Sequence, residues 1–497
     1  MGKGSAQSIV RNTSIMMMQQ IITWASTFVG MMFLARYLGP IEYGRLFLAS
    51  SIISIFRIFV EYGGNYLIAK KISRSPEMAG QIVVDATSYR IVFGVIAYIG
   101  AVIVAFTAGY SSEVRILIMI IGLYLLWKGA LTVLVASYQG LETMQYTSVG
   151  SIVEAVFSSA VCVLALLMGA RAYTIAIISV FAGFLNFCIL LLFSKNIATF
   201  FPSIKWEDTF EQMKEGLPYF LLAIFGTIYY RIDTLMLSKM APEDVVGWYG
   251  AAYRLFDVLN FFPFIFTTAI FPVLSRLWGK EEDAHKRMTQ RSLEFMVIIG
   301  IPVSIGAIIF APNAIQLLYG LPAYEPSIIV FRVISLGIVF LFADMVIGTT
   351  LLASNKQRQQ SYLALVAILF NVGMNYYFIP VFQSRFGNGG IGSGIATLLT
   401  ELFIMITGLI LLPKGILVGF RFQVIYKSIA AGIVMAFFLW FLLPLGVPWY
   451  IAAILTPFVY GPALFAMKTF NQSEHTLFVN MFTLQNMKSI LTGKSKV

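Results

Sequence analysis

Long apolar runs follow one another along almost the whole chain and leave few folds open to it. A helix needs roughly 20 apolar residues to cross a bilayer. Of the 497 residues, 59% are hydrophobic and 11% are charged, whereas a soluble protein has about 45–50% apolar and about 25% charged residues. The runs are also too long, and too uniformly apolar, for the alternating strands of a membrane barrel. The sequence therefore predicts an all-α, polytopic membrane protein.

We predict about fourteen membrane-spanning helices, joined by connections too short to be soluble domains. The predicted spans are residues 12–35, 45–69, 81–108, 114–136, 147–169, 172–194, 216–238, 246–273, 292–311, 327–353, 361–382, 390–413, 425–445 and 448–467. A mixed-charge segment between residues 194 and 216 separates two groups of six helices. The predicted organisation is therefore an N-terminal lobe at 1–204, a second lobe at 205–420, two further helices within 421–468, and a cytoplasmic amphipathic tail at 469–497.

Basic residues are distributed unevenly between the two sides of the predicted bundle. If the N-terminus is inside, 22 of the 34 lysines and arginines lie in or beside the inner connections and 6 lie in or beside the outer ones. Positive charge accumulates on the cytoplasmic side of membrane proteins, so we expect both termini to face the cytoplasm at the cell membrane. This topology also explains the net charge of +11, and no nucleic-acid partner is expected.

Two connections in different halves of the chain are weakly alike. Leu34–Gly44 joins predicted helices 1 and 2, and Leu237–Gly247 joins predicted helices 7 and 8. In each, an apolar span is followed by a basic residue, a proline, an acidic residue and a final glycine. Because six spans is an even number, the two copies enter the membrane in the same direction. Such parallel repeats are related by an axis along the membrane normal, with a cavity between the lobes.

The first of these connections, Leu34-Ala-Arg-Tyr-Leu-Gly-Pro-Ile-Glu-Tyr-Gly44, resembles the first outer loop of the polysaccharide and oligosaccharide (Wzx-type) flippases. These belong to the multidrug/oligosaccharidyl-lipid/polysaccharide exporter superfamily. Further segments are similar to parts of the same family: Ile232–Leu237, Val246–Leu255, Ala269–Leu277, Asn355–Arg358 and Gly389–Thr397. The resemblance covers nearly the whole chain.

The resemblance implies a two-lobed, fourteen-helix transporter that moves polyprenyl-diphosphate-linked oligosaccharides outward across the cytoplasmic membrane by alternating access. Its expected partners are then the lipid-linked oligosaccharide, the membrane lipids, and a polysaccharide polymerase and glycosyltransferases. The resemblance does not identify the sugar.

Basic residues inside the predicted spans are the first candidate site residues. A charge inside a span costs about 2.5–3.5 kcal/mol on insertion scales and faces an interior cavity in most membrane proteins. Guanidinium groups bind phosphate oxygens through two parallel hydrogen bonds and keep their proton in apolar surroundings. We therefore expect a diphosphate to be bound by Arg231, Arg57, Arg254, Arg90 and Lys128. Simple pairing along one helix is the alternative for Arg57 with Glu61 and for Arg254 with Asp257.

Acidic residues at similar depth are candidates for coupling transport to an ion. A carboxylate in a medium of low dielectric takes up a proton more readily than in water. The candidates are Glu61, Glu154, Asp233, Asp257 and Asp344, and the sequence leaves the choice between H⁺ and Na⁺ open. Each could instead be a structural partner of a basic or polar side chain.

Other functions remain open on the sequence alone. A peptidoglycan-precursor flippase would also need a cationic cavity, whereas a drug or cation antiporter would need an acidic, apolar one. A membrane-embedded glycosyltransferase or ligase is not expected, because the outer connections are short and contain no catalytic motif. No cofactor or metal is expected either, since there is no nucleotide-binding motif and only two histidines, His285 and His475, both outside the predicted spans.

Overall fold

The chain folds into α-helices joined by short turns. A computed structural model describes residues 3–62, 64–196 and 206–469, and no strand occurs within these ranges. Its α-helices are α1 Lys3–Val60, α2 Gly64–Arg74, α3 Ala79–Thr107, α4 Ser112–Gly122, α5 Leu125–Gly140, α6 Met144–Leu167, α7 Ala172–Phe193, α8 Trp206–Met240, α9 Glu243–Leu259, α10 Phe261–Leu277, α11 Glu282–Leu318, α12 Pro326–Leu336, α13 Ile338–Ala353, α14 Gln357–Phe386, α15 Gly389–Leu411, α16 Phe422–Leu442 and α17 Trp449–Ala466. The all-α prediction is confirmed. The predicted amphipathic tail lies, from residue 470 onward, outside the described residues.

Within the described residues, eleven helices are long and apolar enough to cross a membrane, or twelve if the bent pair α12 and α13 forms one span. The predicted count of fourteen is therefore not confirmed. Two places account for the difference between fourteen and twelve. The first two predicted spans fall in the single helix α1, and α8, which contains the seventh predicted span, is not among the helices that qualify. The second predicted span also extends to residue 69, whereas α1 ends at Val60 and a separate helix follows.

Helix α1 consists of two segments that meet at Gly39. This glycine has φ 72° and ψ 169°, a backbone conformation that other residues rarely adopt. The next residue, Pro40, lacks the N–H that would continue the hydrogen-bonding pattern of the preceding segment. The break falls where the sequence predicts the connection between its first two spans, so the predicted loop exists as a kink.

The structure divides into two compact units. The first contains Met1–Asp257, Ala314–Ile334 and Arg358–Ile404. In this unit α1 packs mainly on α6, α3 on α5, and α6 on α7. One buried cluster of this unit joins α2, α3, α5 and α7 around side chains such as Val83, Leu134 and Leu190, which are all fully buried.

The second unit contains Val258–Asn313, Ser335–Gln357 and Met405–Val497. Here α16 packs on α17 and α10 on α13. The Tyr460 hydroxyl donates a hydrogen bond of 2.8 Å to the backbone carbonyl of Ile298 in α11. The boundaries of the lobes expected from the sequence, at residues 204 and 420, stay predictions.

Two glycines from the similar connections lie against each other within the first unit. A Cβ atom added to Gly247 would lie 1.9 Å from the carbonyl oxygen of Pro40, and one added to Gly44 would lie 2.7 Å from the backbone nitrogen of Gly247. Each glycine is the last residue of its segment, Leu34–Gly44 or Leu237–Gly247. Residues at equivalent positions of two repeats meet only near the axis that relates them, so this contact agrees with the expected internal repeat.

Candidate functional site

A cavity of about 560 Å³ lies within the first unit, between α1, α6 and α7. Its volume is in the range of small-molecule binding sites, about 300–1,000 Å³. The lining is rich in uncharged polar side chains: Gln19, Gln20, Thr23, Thr27, Ser50, Ser151, Ser158, Ser159 and Ser179. Residues three and four positions apart share one face of a helix, which is why α1 presents Gln20, Thr23 and Thr27 together. The cavity therefore has a wall of hydroxyl and amide groups.

Among the described residues, two charged side chains line this cavity, Glu154 of α6 and Arg254 of α9. One carboxylate oxygen of Glu154 accepts a hydrogen bond of 2.6 Å from the Asn186 amide. The Arg254 side chain is 47% exposed, and its Nη1 lies 3.9 Å from the Asp257 carboxylate. That distance is long for a hydrogen-bonded ion pair. The Tyr43 hydroxyl, which lines the same cavity, is a second polar neighbour of this guanidinium.

Arg231, on α8, has a different environment from the other predicted arginines. It takes part in none of the ion pairs formed between described residues. Its guanidinium carbon lies 5.7 Å from the centroid of the Tyr230 ring and 6.0 Å from that of Phe47, which are cation–π distances. Phe47 also lines the cavity, so the Arg231 cation is one side chain away from that space.

Arg57 and Lys128 form a cluster with one acid. Oε1 of Glu61 lies 3.6 Å from both Arg57 Nε and Lys128 Nζ. The pairing of Arg57 with Glu61 is the one expected from their i, i+4 spacing, while Lys128 comes from α5. Among the described residues these three side chains do not line the cavity, and one negative charge is shared between two positive ones.

Arg90 lies in the protein interior and not on the cavity. Only 1% of its surface is exposed. Its Nη1 donates to the Thr132 hydroxyl at 3.0 Å and its Nη2 to the Tyr62 carbonyl at 3.3 Å. A Cβ on Gly129 would lie 2.7 Å from the Arg90 Cβ, so α3 and α5 are in close contact there. Arg90 connects α3 to α5 and to the end of α1.

Asp233 is an acidic candidate that is buried within a network of hydrogen bonds. Its side chain is 3% exposed. It accepts hydrogen bonds from the Asn375 amide at 2.6 Å, the Thr397 hydroxyl at 2.7 Å and the Tyr249 hydroxyl at 3.0 Å. The Asn375 amide also lies 2.8 Å from the side-chain oxygen of Asn371. A buried carboxylate of α8 is therefore surrounded by neutral oxygen and nitrogen groups from α9, α14 and α15.

The remaining acidic candidates are separate from this network. Asp257 accepts a hydrogen bond of 2.9 Å from the Tyr230 hydroxyl and lies beside Arg254. Asp344 belongs to α13 of the second unit. The structure thus brings Glu154 and Arg254 to one cavity, places Asp257 and Arg231 next to its lining residues, and leaves Glu61 with its two basic partners.

A second cavity, of about 280 Å³, lies at the connection between α8 and α9. Arg45 Nε lies 2.6 Å from a Glu243 carboxylate oxygen, and the Ser111 hydroxyl donates to the other oxygen at 2.7 Å. The Lys239 ammonium lies 3.3 Å from the centroid of the Tyr110 ring. Partial desolvation lowers the pKa of Lys239, and burial raises the pKa of the Tyr110 hydroxyl. This cluster joins the α8–α9 connection to α1 and to the α3–α4 connection.

The sequence-based candidates were all charged residues. They therefore did not include the uncharged polar wall of the cavity or the hydrogen-bond partners of Asp233. The available signal was the run of hydroxyl and amide residues inside apolar helices, such as Thr23 and Thr27 in α1 or Asn371 and Asn375 in α14. Such residues in membrane helices commonly form hydrogen bonds between helices. Charge alone therefore identified only part of the lining.

Comparison with known families and proteins gives matches over most of the chain. The profile of a family described as "Polysaccharide biosynthesis protein" matches residues 9–278, and that of the MatE family matches residues 218–377. The probable flippase AglR of Haloferax volcanii is 25% identical over 191 residues, which are 38% of this chain and 39% of that protein. The probable multidrug resistance protein NorM of Bacillus subtilis is 24% identical over 214 residues, 40% of this chain and 44% of that protein. The matched region spans less than half the length of either curated relative.

Solved structures give a more complete match of the fold. Lipid II flippase MurJ, in an inward closed conformation, aligns with a TM-score of 0.72 and 14% identity over 90% of this chain and 98% of that chain. An inward-facing multidrug resistance MATE family transporter of the MOP superfamily aligns with a TM-score of 0.62 and 15% identity over 81% and 96%. These likenesses establish the fold, and together with the two family matches they confirm the resemblance to exporter-superfamily flippases.

Proposed function

The chain belongs to the polysaccharide biosynthesis protein family, and we propose that it is a flippase for polyprenyl-diphosphate-linked oligosaccharides. It would move them from the inner to the outer leaflet of the cell membrane by alternating access, with both termini in the cytoplasm. The family match over residues 9–278 and the similarity to a probable flippase support this proposal. Membrane lipids would be its surroundings, and the polymerase and glycosyltransferases of glycan assembly its functional partners.

The arrangement of Arg231 and Arg254 is the observation that carries the proposal. A lipid-linked diphosphate carries about two negative charges, and removing them from water is costly unless they are paired. Arg254 lines the cavity with half of its surface exposed, and Arg231 lies behind Phe47 with no ion pair among the described residues. Each guanidinium can offer two parallel hydrogen bonds to phosphate oxygens. The diphosphate would bind at this end of the cavity.

The structure gives less support for diphosphate binding by Arg57, Lys128 and Arg90. Glu61 already neutralises part of the charge on Arg57 and Lys128. Arg90 directs its donors to Thr132 and to the Tyr62 carbonyl, away from the cavity. We propose that Arg231 and Arg254 bind the diphosphate first, and that Arg57 and Lys128 contribute positive potential to its path.

We propose Asp233 as the coupling group for the ion. A carboxylate in the interior of a membrane protein is costly and marks ion pathways. One oxygen of Asp233 accepts the Asn375 amide and the other accepts the Thr397 hydroxyl, and the side-chain oxygen of Asn371 lies 2.8 Å from the same amide. Oxygen ligands suit Na⁺ as well as a proton on the carboxylate. Inward movement of H⁺ or Na⁺ at this position would provide the energy for outward movement of the substrate. Glu154, Glu61, Asp257 and Asp344 are then secondary candidates.

A charge-removal experiment at Arg231 tests the proposal. We expect Arg231→Gln to weaken binding of undecaprenyl diphosphate by the purified protein about 10- to 100-fold, because a charge-assisted hydrogen bond contributes about 1.5–3 kcal/mol. The variant should also fail to restore surface glycan in a flippase-deficient strain at normal protein abundance. Arg231→Lys should keep part of both activities.

Arg358→Gln is the matched control. Arg358 also stacks on a tyrosine at 5.7 Å, that of Tyr362, but it lies outside the predicted spans. Loss of a similar cation–π contact should leave binding and complementation at wild-type values. Normal glycan display by Arg231→Gln would refute the role of Arg231, and equal losses in both variants would attribute the effect to stacking alone.

Export of an organic cation is a second candidate, because Glu154 lines the cavity and the MatE profile matches residues 218–377. Under this alternative, ethidium efflux from whole cells should depend on Glu154, and Arg231→Gln should increase it by removing a repulsive charge. A peptidoglycan-precursor flippase would bind the same diphosphate. It is distinguished by rescue of a strain lacking that activity.

A further inference from the structure

The wall of the 560 Å³ cavity has a chemical character that differs from that of the arginine end. Helices α1 and α6 face each other with hydroxyl and amide side chains, and α7 adds Ser179. Gln20 and Thr27 are exposed, and Thr23 and Ser158 are half-buried. No lysine lines the cavity among the described residues, and Arg254 is its one arginine. Most of this surface therefore offers hydrogen bonds without positive charge.

Several hydroxyls of the wall already use their proton to donate a hydrogen bond within the protein. Ser159 donates to the Ser26 carbonyl at 2.6 Å, Thr23 to the Gln19 carbonyl at 2.5 Å, and Ser179 to the Ile175 carbonyl at 2.9 Å. A hydroxyl with its single proton used in this way retains only acceptor lone pairs. These oxygens face any ligand as acceptors.

Glu154 adds further hydrogen-bond acceptors to the same wall. One of its carboxylate oxygens accepts the Asn186 amide at 2.6 Å, and an ionised carboxylate has about four acceptor sites in total. The group therefore keeps acceptor capacity toward the cavity. A phosphate or a sugar carboxylate, which is itself an acceptor and negatively charged, would be repelled there, whereas a neutral ligand with many O–H and N–H donors would be bound.

We propose that this wall is a subsite for the neutral sugars next to the diphosphate, selecting hydroxyl- and amide-bearing residues over acidic ones. The inference rests on the proposed function, since it places the diphosphate at Arg254 and the first sugars against Thr27, Ser158 and Glu154. Apolar side chains such as Met31 and Leu34 in the same lining would contact the C–H faces of the sugar ring. Substrate choice is then determined by α1 and α6, and anchoring by the arginines.

Binding to the purified full-length protein tests this assignment with four named probes. They are undecaprenyl diphosphate, the same lipid carrying N-acetylglucosamine, the same lipid carrying glucuronic acid, and ethidium. We expect the N-acetylglucosamine lipid to bind the wild type at least about fivefold more tightly than the bare lipid. The glucuronic acid lipid should gain nothing over the bare lipid.

Two cavity variants and one matched control locate the effect. Thr27→Val and Glu154→Gln should each reduce the gain from the neutral sugar about two- to tenfold, the effect of losing one hydrogen bond. Binding of the bare lipid should stay unchanged in Thr27→Val, and it should not weaken in Glu154→Gln, where a negative charge is removed from the cavity that holds the diphosphate. Thr107→Val makes the same chemical change on α3, where the hydroxyl is exposed and donates to the Ile103 carbonyl at 2.8 Å. It should retain the full gain.

The outcomes separate this inference from the proposed function. An unchanged gain in both cavity variants, or a preference for glucuronic acid, would overturn the sugar subsite while leaving the flippase intact. Ethidium binding that requires Glu154 and is not displaced by the neutral lipid would also overturn it, by assigning the wall to organic cations. Failure of the bare lipid to bind, or binding insensitive to Arg231→Gln, would instead refute the proposed function.

Discussion

Substitution of Gly247 by alanine directly tests the close packing of α9 against α1. The new Cβ would lie 1.9 Å from the Pro40 carbonyl oxygen, and real Cβ atoms essentially never approach a heavy atom closer than 3.0 Å. The backbone of α1 or α9 must therefore move by at least about 1.1 Å. The obstructing atom belongs to the backbone, so no side-chain rotation can relieve the contact.

The expected cost follows from this displacement. Overpacking a tight contact costs about 1–3 kcal/mol in typical cores, whereas alanine in an unobstructed helix position is favoured over glycine by up to about 1 kcal/mol. Gly226 of α8 is the matched control, since a Cβ there meets nothing within 4 Å. Gly44 is intermediate, because its Cβ would lie 2.4 Å from the Glu243 carbonyl oxygen. We expect stability to fall in the order Gly226→Ala, Gly44→Ala, Gly247→Ala.

Thermal unfolding of the purified protein in detergent, followed by tryptophan fluorescence, measures this order. Gly226→Ala should unfold at or above the wild-type temperature and Gly247→Ala clearly below it. If Gly247→Ala were as stable as Gly226→Ala, the close approach of α1 and α9 would be wrong. The agreement with an internal repeat would then be lost with it.

Three further results are expected. Asp233→Asn should keep the fold, because the amide oxygen still accepts hydrogen bonds. It should abolish the dependence of transport on an imposed H⁺ or Na⁺ gradient in proteoliposomes, and a retained dependence would exclude Asp233 as the coupling group. Glu294→Gln should lower the free energy of unfolding by about 3 kcal/mol, since Glu294 is 4% exposed and pairs with Arg421. An unchanged unfolding temperature would contradict this expectation. Glu61→Gln should tighten binding of undecaprenyl diphosphate about two- to fivefold by releasing its two basic neighbours, and an unchanged affinity would restrict those neighbours to a structural role.

Part of the candidate site could be predicted from the sequence because it depends on local geometry. The pairs Arg57–Glu61 and Arg254–Asp257 follow from their spacing along one helix, and both occur at 3.6 and 3.9 Å. The sharing of Glu61 with Lys128 could not be predicted in this way. Lys128 lies on another helix, and the position of α5 beside the end of α1 depends on packing.

The membrane character and the all-α fold were determined by the sequence itself. In a lipid environment the backbone must satisfy its own hydrogen bonds, and an apolar run does so within a single helix. This requirement is local, so composition and run length were sufficient. Even the break of α1 at Gly39 and Pro40 follows from the conformations that these two residue types allow.

Only the tertiary structure decided which side chains meet. Asp233 and Asn375 are 142 positions apart in the chain, and no periodicity relates them. The contact of Gly44 with Gly247, the polar wall of α1 and α6, and the cation–π contact of Arg231 with Phe47 likewise depend on which helix lies beside which. Helix formation is governed by interactions a few residues apart, whereas helix packing is governed by the shape of whole surfaces, and those surfaces exist only once the chain has folded.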